Sequence, residues 1–387
     1  MKFKETQIGK VPAHWNVLPI KEISETVTDY VANGSFASLA KNVVYKDEED
    51  FAVLIRLVDY NNDFRGKFVF IDEHAYEFLS KSKLYGNEII ISNVGANVGT
   101  VFRCPKLRYK MSLAPNSVMV KFKGNDDFYF HWLRGYNGQQ MLKSIVTGSA
   151  QPKFNKTNFK EMVVPVPPID EQNKIASILN AIDEKIKINK QINENLQQQA
   201  QAIYCDMFIT NASPSWQIGH LSDLITVRYG KDHKKLADGV YPVYGSGGIM
   251  RYVEKPLYDK ESVLIPRKGT LNNVMYVNEP FWSVDTMFFT EMKLPNVAKY
   301  VFHFVKSKDL ASLNAGSAVP SMTTDILKAM ELSIPDADTL YKFESIVAPM
   351  YRTMKQNTQE SNKLAELRDS LLPRLMSGEI DVSKLDI

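Results

Sequence analysis

Two long stretches of the chain carry apolar and amide residues at an alternating spacing of four and three. This spacing is typical of a helix that packs lengthwise on another helix. In the first stretch the positions are Ile175, Leu179, Ile182, Ile186, Asn189, Asn193, Leu196, Ala200, Ile203 and Met207. In the second, 168 residues further on, they are Phe343, Val347, Met350, Met354, Asn357, Ser361, Leu364, Arg368, Leu371 and Leu375. The pattern predicts two long helices, the first from Asp170 to Phe208, whose seams pair as an antiparallel coiled coil.

The same offset of 168 extends upstream of both helices without a gap. A proline precedes each helix, and an aspartate stands where it would cap the first turn. The matched pairs are Pro167 with Pro335, Asp170 with Asp338, Gly148-Ser149-Ala150 with Gly316-Ser317-Ala318, and Pro152 with Pro320. Two unrelated amphipathic core helices remain an alternative, but the shared register favours an internal repeat.

The two halves of the chain also open alike. Ile8-Gly9 and Pro12 lead to Trp15, and Ser213-Pro214-Ser215 leads to Trp216, each followed by spaced aliphatic residues. The tryptophans differ by 201 positions and the helices by 168, so the first half is longer by 33 residues. We interpret each tryptophan as a packing anchor in a shared frame around variable content.

Short apolar runs between Gly, Asn and Pro residues predict strands in both globular segments. The predicted strands are 52–58, 88–92, 98–103, 117–122, 262–265, 273–277 and 286–289, and the predicted helices are 128–143 and 297–306. The predicted fold class is α+β: two strand-rich mixed domains separated by two long antiparallel helices, with a pseudo-two-fold internal repeat. The predicted segments are domain one (1–160), a central helix (161–210), domain two (211–334) and a distal helix with a tail (335–387).

Composition narrows the class of protein. The sequence contains no apolar run of about 18 residues and no signal-peptide core at its start, so we expect a cytoplasmic protein without a membrane span. Residues 1–169 hold 22 Lys and Arg against 17 Asp and Glu (+5), and residues 211–334 hold 14 against 12 (+2). Segments 170–210 (4 against 6) and 335–387 (7 against 9) are each −2. An anionic polymer would therefore bind the globular segments.

Catalytic and metal-binding signatures are missing from the sequence. The glycine-rich run 244–249 lacks the spacing of a nucleotide-binding loop and predicts a tight turn. The proline run 163–168 lacks the flanking residues of a methyltransferase motif and predicts a stiff hinge. The six histidines and the lone Cys104 and Cys205 have no metal-ligand spacing. We predict no catalytic residue and no metal site.

Candidate DNA contacts are concentrated in loops. Run 267–273 holds two cations, a hydroxyl and two amides, run 92–100 is its equivalent in the first half, and run 228–235 mixes cations with an aromatic. Arg can pair with guanine, Asn with adenine and Lys with phosphate, although a solvated surface role remains open for each residue. The candidates are Asn93, Asn97, Thr100, Arg103, Arg228, Lys231, Lys234, Ser246, Arg251, Arg267, Lys268, Thr270 and Asn272.

These features, taken in order, resemble the specificity subunits of type I restriction–modification systems. The resemblance covers essentially the whole chain except residues 30–80, where variability is expected because the target would be read there. The stretches that carry it are the opening from Ile8 to Trp15, residues 165–172 at the start of the central helix, 241–249, 267–270, and 371–380 at the end of the distal helix.

The resemblance implies a function in host defence. Each globular domain would bind one half of a bipartite site on double-stranded DNA, and the helices would set the unread gap between the halves. The chain would contain no cofactor of its own. It would dock two modification subunits, which use S-adenosylmethionine for DNA methylation, and a restriction subunit, which uses ATP and Mg.

Two other functions stay open from the residues alone. One is a stand-alone methyltransferase or nuclease, against which the missing catalytic motifs argue. The other is a two-headed coiled-coil protein scaffold that does not bind DNA. DNA binding that weakens as salt rises would distinguish a DNA-recognition subunit from the protein scaffold.

Overall fold

The structure, a computed structural model, describes residues 2–313 and 321–385 and divides into two compact units. Unit 1 consists of Met1–Lys187 with Glu360–Ile387, and unit 2 consists of Ile188–Gln359. The repeat positions Gly316-Ser317-Ala318 and Pro320 lie outside the described residues. Among the described residues, the structure contains no candidate transmembrane helix.

Unit 1 is built from short strands and helices followed by the first long helix. Its elements are β1 (Phe3–Thr6), β2 (Gly9–Pro12), β3 (Asn16–Pro19), α1 (Ile20–Ile23), β4 (Ser24–Asp29), α2 (Phe36–Asn42), β5 (Ala52–Ile55), α3 (Leu57–Asn61), β6 (Val69–Ile71), α4 (Glu73–Phe78), β7 (Lys83–Leu84), β8 (Ile89–Ser92), β9 (Val101–Arg103), β10 (Lys110–Leu113), β11 (Ser117–Phe122), α5 (Asp126–Arg134), α6 (Tyr136–Ser144), α7 (Lys156–Glu161), β12 (Val163–Val166) and α8 (Ile169–Cys205), which continues into unit 2.

Unit 2 contains a π-helical turn at Asp206–Thr210 and a second series of strands before the second long helix. Its elements are β13 (Gln217–His220), α9 (Leu221–Leu224), β14 (Ile225–Tyr229), β15 (Asp238–Gly245), β16 (Gly248–Val253), β17 (Ser262–Pro266), β18 (Met275–Val277), β19 (Trp282–Ser283), β20 (Met287–Met292), α10 (Ala298–Lys306), α11 (Thr324–Lys328), β21 (Glu331–Ile334) and α12 (Ala337–Met376), which ends in unit 1.

The strand order repeats between the two units and confirms the predicted internal repeat. Each unit has a four-stranded sheet of the same order, β4-β11-β8-β9 in unit 1 and β14-β20-β17-β18 in unit 2. Each also has a short antiparallel pair before its long helix, β3 with β12 and β13 with β21. A parallel pair occurs in a second sheet of each unit, β5 with β10 and β15 with β19. The fold class is therefore α+β with a duplicated architecture.

The paired long helices are confirmed as antiparallel by their contacts. In unit 2, Asn189 Nδ2 donates to Asn357 O (3.4 Å) and Asn193 Nδ2 donates to Met354 O (3.1 Å), so the partner number falls as the α8 number rises. In unit 1, Asp183 pairs with Arg368 at 2.8 Å, which explains how an arginine is accommodated at a seam position. All the proposed seam residues are buried or half-buried.

Several predicted strands and helices are confirmed, and some details are wrong. The predicted strands 98–103 and 273–277 begin only at Val101 and Met275, because the residues before them belong to loops. The predicted strand 52–58 ends at Ile55, because Asp59 accepts from the backbone N–H of Arg56 (2.9 Å) and starts α3. The predicted helix 128–143 is two helices that meet at Gly135. There a Cβ on Gly138 would lie 2.1 Å from Trp132 O, so the second helix packs closely against the end of the first.

The predicted aspartate caps are also wrong. Asp170 and Asp338 lie inside the first turns of α8 and α12. The carboxylate of Asp336 accepts from the backbone N–H of Thr339 (2.8 Å) and caps α12 instead. The proline run 163–168 contains β12, so it is partly a strand rather than only a hinge.

Each unit has a core that joins its main sheet to the long helices. In unit 1, Trp15 is 1% exposed, and its Nε1 donates to Glu171 Oε2 at 2.8 Å. In unit 2, Trp216 is half-buried, and its Nε1 donates to Asp336 Oδ2 at 3.0 Å. Both tryptophans thus anchor their domain to a carboxylate at the start of a long helix, as expected of a shared frame.

Candidate nucleic-acid interface

Two equivalent loops carry the strongest sequence-predicted contacts. Loop 1 (residues 93–100) joins β8 to β9, and loop 2 (residues 267–274) joins β17 to β18. Gly95 and Gly269 occupy the same place in the two loops and both have positive φ, +98° and +87°. Because L side chains rarely adopt this conformation, glycine is required at the turn.

Three backbone contacts fix the two loops in the same way. The N–H of Asn93 donates to Asn116 O (3.1 Å), and the N–H of Arg267 donates to Thr286 O (2.9 Å). The carbonyl of Asn93 accepts from Phe154 N (3.1 Å), and that of Arg267 accepts from Met322 N (2.9 Å).

The third contact is an isolated antiparallel bridge, between Val94 and Lys153 in unit 1 and between Lys268 and Ser321 in unit 2. Asn93 and Arg267 are therefore structurally equivalent positions, as are Val94 and Lys268.

In unit 2 the structure brings four segments to one end of the sheets. Asn273 Nδ2 donates to Ser246 O at 2.8 Å, which ties loop 2 to the β15–β16 turn. The N–H of Lys231 donates to Ser283 O at 2.8 Å, which ties the end of β14 to the segment before β20. Leu271 is 2% exposed and anchors loop 2 in the core. The predicted residues Lys231, Ser246, Arg267, Lys268 and Thr270 lie on these segments.

The side chain of Arg267 is held without an ion pair. Its Nη1 donates to Asp285 O at 3.2 Å, and its guanidinium lies 5.5 Å from the ring centroid of Tyr229. No carboxylate among the described residues comes within 4.0 Å of it. Tyr229 is 53% exposed, so this pair lies at the surface.

Three other predicted arginines have carboxylate partners. Arg228 pairs with Glu291 at 3.1 Å, and this hydrogen bond raises the pKa of the guanidinium. Arg251 pairs with Asp238 at 2.8 Å. Arg103 pairs with Asp127, donates to Asn87 O at 2.7 Å and is 17% exposed, and burial lowers its pKa. Their assignment as DNA contacts stays a prediction, but each guanidinium already has a structural partner.

The remaining predicted residues are distributed over both units. Asn272 donates to Asp309 Oδ1 (2.9 Å) and accepts from the N–H of Ala311. Thr100 Oγ1 donates to Asn97 O (2.9 Å) within loop 1. Lys234 is exposed on the loop after β14.

The surroundings of Asn93 in loop 1 differ from those of Arg267 in loop 2. Asn93 Nδ2 donates inward to Phe154 O at 3.1 Å, and its Oδ1 is buried without a hydrogen-bond partner among the described residues. Beside it lies a cavity of about 580 Å³ whose lining includes Asn93, Asn116, Tyr30 and Phe36. Where unit 2 presents a cation, unit 1 presents a mainly apolar recess, and the one charged residue in its lining, Asp29, pairs with Lys156 at 2.9 Å.

Sequence reasoning missed Lys153. It is exposed and lies across the isolated bridge from Val94, on the segment between α6 and α7. The offset of 168 pairs it with Ser321, and its nearest lysines, Lys156 and Lys160, are three and seven residues away, so it does not stand in a continuous basic run. The signal that could have found it is Lys268. This residue is equivalent to Val94, which lies directly opposite Lys153.

The duplication of this loop within duplicated sheets agrees with a comparison to protein families. The model of the type I restriction modification DNA specificity domain matches residues 12–198 and 214–366. The chain belongs to this family. The two matches of this specificity family fall on the two halves of the internal repeat.

Individual relatives give the same result over nearly the full length. The chain is 23% identical to the type I restriction enzyme MjaIX specificity subunit of Methanocaldococcus jannaschii, covering 99% of this chain and 98% of the relative. It is 20% identical to the HindI specificity subunit of Haemophilus influenzae, covering 70% and 80%. The crystal structure of a type I restriction-modification S subunit from M. genitalium matches with a TM-score of 0.59 at 16% identity, covering 95% and 96%. This last likeness supports the fold.

Proposed function

We propose that this protein is the DNA-recognition subunit of a type I restriction–modification complex. It binds a two-part site on double-stranded DNA, with residues 1–160 and 211–334 as the two recognition domains. The observation that carries this proposal is one loop architecture that occurs twice, with the same backbone contacts and different side chains. Conserved positioning with variable surface chemistry suits two readers of different half-sites.

The helical segments 161–210 and 335–387 serve as the spacer and as the docking surface for partner subunits. Their net charge of −2 within residues 170–210 and within 335–387 suits protein contact better than contact with phosphates. The partners are two modification subunits, which bind S-adenosylmethionine, and a restriction subunit, which uses ATP and Mg.

This chain performs no chemistry of its own in the proposed complex. It holds the modification subunits over the target, and recognition rather than catalysis is its contribution. The purified chain should transfer no methyl group to DNA, and DNA methylation should appear only when a modification subunit is added. Methyl transfer by the chain alone would refute this division of labour.

A gel-shift titration tests the DNA-binding proposal directly. The full-length chain is titrated against random duplexes and against duplexes selected by binding, at about 50 mM and 200 mM salt. Selected duplexes should bind more tightly than random ones, and both should weaken as salt rises because bound cations release counterions from DNA. Equal affinity for selected and random duplexes would leave a non-specific binder, and no binding would favour the protein scaffold.

A further inference from the structure

The two loops have equivalent backbones but different side chains. Asn93 and Arg267 occupy one pair of equivalent positions, and Val94 and Lys268 occupy the next. We infer that Arg267 reads a guanine in the half-site bound by the second domain, and that Lys153 and Lys268 are equivalent phosphate contacts of the two domains. This inference rests on the proposed function and assigns individual residues of the same surface to base and backbone.

Arg267 has free donors in a fixed orientation. A guanidinium carries five N–H donors, and the described contacts of Arg267 use one of them, to Asp285 O. The ring of Tyr229 on one side restricts where the guanidinium plane can lie. A planar fork with free donors matches the O6 and N7 acceptors of guanine, which no other base presents in the major groove.

Competing arginines in the second domain are already paired. Residues 211–334 contain Arg228, Arg251 and Arg267. The first two are neutralised by Glu291 and Asp238. A paired guanidinium would have to lose its carboxylate before it could contact a base, so Arg267 is the arginine best prepared for direct readout.

The first domain lacks this reader at the same position. Asn93 is shorter than arginine, and its amide N–H is used inward, on Phe154 O. It holds loop 1 to the segment before α7 instead of reaching outward. The contact to guanine is therefore a property of one half-site.

The bridge supplies one lysine to each domain, from opposite sides of the bridge. Lys153 faces Val94 in unit 1, whereas Lys268 faces Ser321 in unit 2. Side chains directly opposite each other across an antiparallel pair lie on the same face and close together. Both lysines are exposed, and neither forms an ion pair with a described residue. A flexible ammonium suits a phosphate, which needs charge rather than a fixed fork.

Selection of bound duplexes from a random library, followed by sequencing, tests the assignment with the full-length chain. Arg267→Ala should make one guanine position degenerate in one half of the motif. It should weaken binding to the wild-type site by about tenfold to a hundredfold. Arg267→Lys should lose the same base preference, because it keeps the charge but not the fork. Asn93→Ala, at the equivalent position, should preserve that guanine and serves as the matched control.

The lysines should respond differently. Lys153→Ala and Lys268→Ala should each weaken binding to all duplexes alike and reduce the salt slope by about one. Circular dichroism and a melting temperature equal to wild type establish that each variant is folded.

Three results would overturn the inference: an unchanged motif in Arg267→Lys, a loss spread over both halves, or a lost position that is not guanine. Lysine variants that change the motif would overturn the phosphate assignment. Failure of the wild-type chain to select any two-part motif would instead refute the proposed function.

Discussion

His303 is a buried histidine on α10 that joins the second domain to both long helices within unit 2. It is 0% exposed, and its two ring nitrogens contact Gln201 Oε1 on α8 (2.7 Å) and Tyr351 OH on α12 (2.9 Å). Burial, with a smaller contribution from the charge of Lys299, lowers its pKa to about 4. The folded protein therefore holds this imidazole neutral where an unfolded chain would protonate it.

The magnitude follows from the two pKa values. The ordinary value is 6.5 and the folded value is about 4, so the unfolded state binds the extra proton between these limits. The contribution of His303 to the stability of unit 2 is therefore present above pH 6.5 and is lost as the pH falls towards 4. Between pH 7 and pH 5 the loss from this group is about 2 kcal/mol, and at pH 4 it reaches about 3 kcal/mol.

Urea unfolding at pH 7 and pH 5, followed by hydrogen exchange of α10 peptides, measures this loss in unit 2. His303→Gln keeps a donor and an acceptor but cannot titrate, so its stability should fall by about 2 kcal/mol less than that of wild type between the two pH values. Tyr351→Phe is the control, because it removes a hydrogen-bond partner and leaves the imidazole. Its pH-dependent loss should persist. An identical loss in His303→Gln and wild type would refute the reasoning.

Three further predictions concern unit 1 and the helices. Glu171→Gln should destabilise unit 1 by about 1–2 kcal/mol in urea unfolding, because the carboxylate accepts from Trp15 Nε1 (2.8 Å) and contacts His14 Nε2 (2.7 Å). Gly378→Ala should lower the melting temperature, since Gly378 has φ +69° and an added Cβ would lie 2.3 Å from Pro12 Cγ. Four residues inserted at matched points in both long helices should lengthen the unread DNA spacer by about one or two base pairs; an unchanged spacer in methylation mapping would contradict a helical ruler.

Local pattern was sufficient to predict the long helices, because their seam repeats over ten positions with one offset. The strands 89–92 and 262–266 were also predictable, since each is a short β-branched run between turn residues. The caps were not. Capping depends on the backbone angles of the residue before the helix, and the sequence could not show that Asp336 rather than Asp338 occupies that place.

Features made by distant residues could not be predicted. β5 (residues 52–55) pairs in parallel with β10 (residues 110–113), and no feature of either sequence identifies the other as its partner. Arg103 is predicted to contact DNA because it follows a glycine-rich loop, and the sequence could not show that its guanidinium also pairs with Asp127, 24 residues away. Charge alone cannot separate a cation that is paired within the fold from one that is available to a ligand.

The lysine of the bridge lies on one side in unit 1 (Lys153) and on the other side in unit 2 (Lys268). This difference affects how the surface should be compared with relatives. A column-by-column comparison of the two halves would score the positive charge as absent twice, once at Val94 and once at Ser321. Counted as a cross-strand pair, the charge is present in both. Substitutions at the two bridge positions are therefore best judged together, because either side of the bridge can supply the lysine.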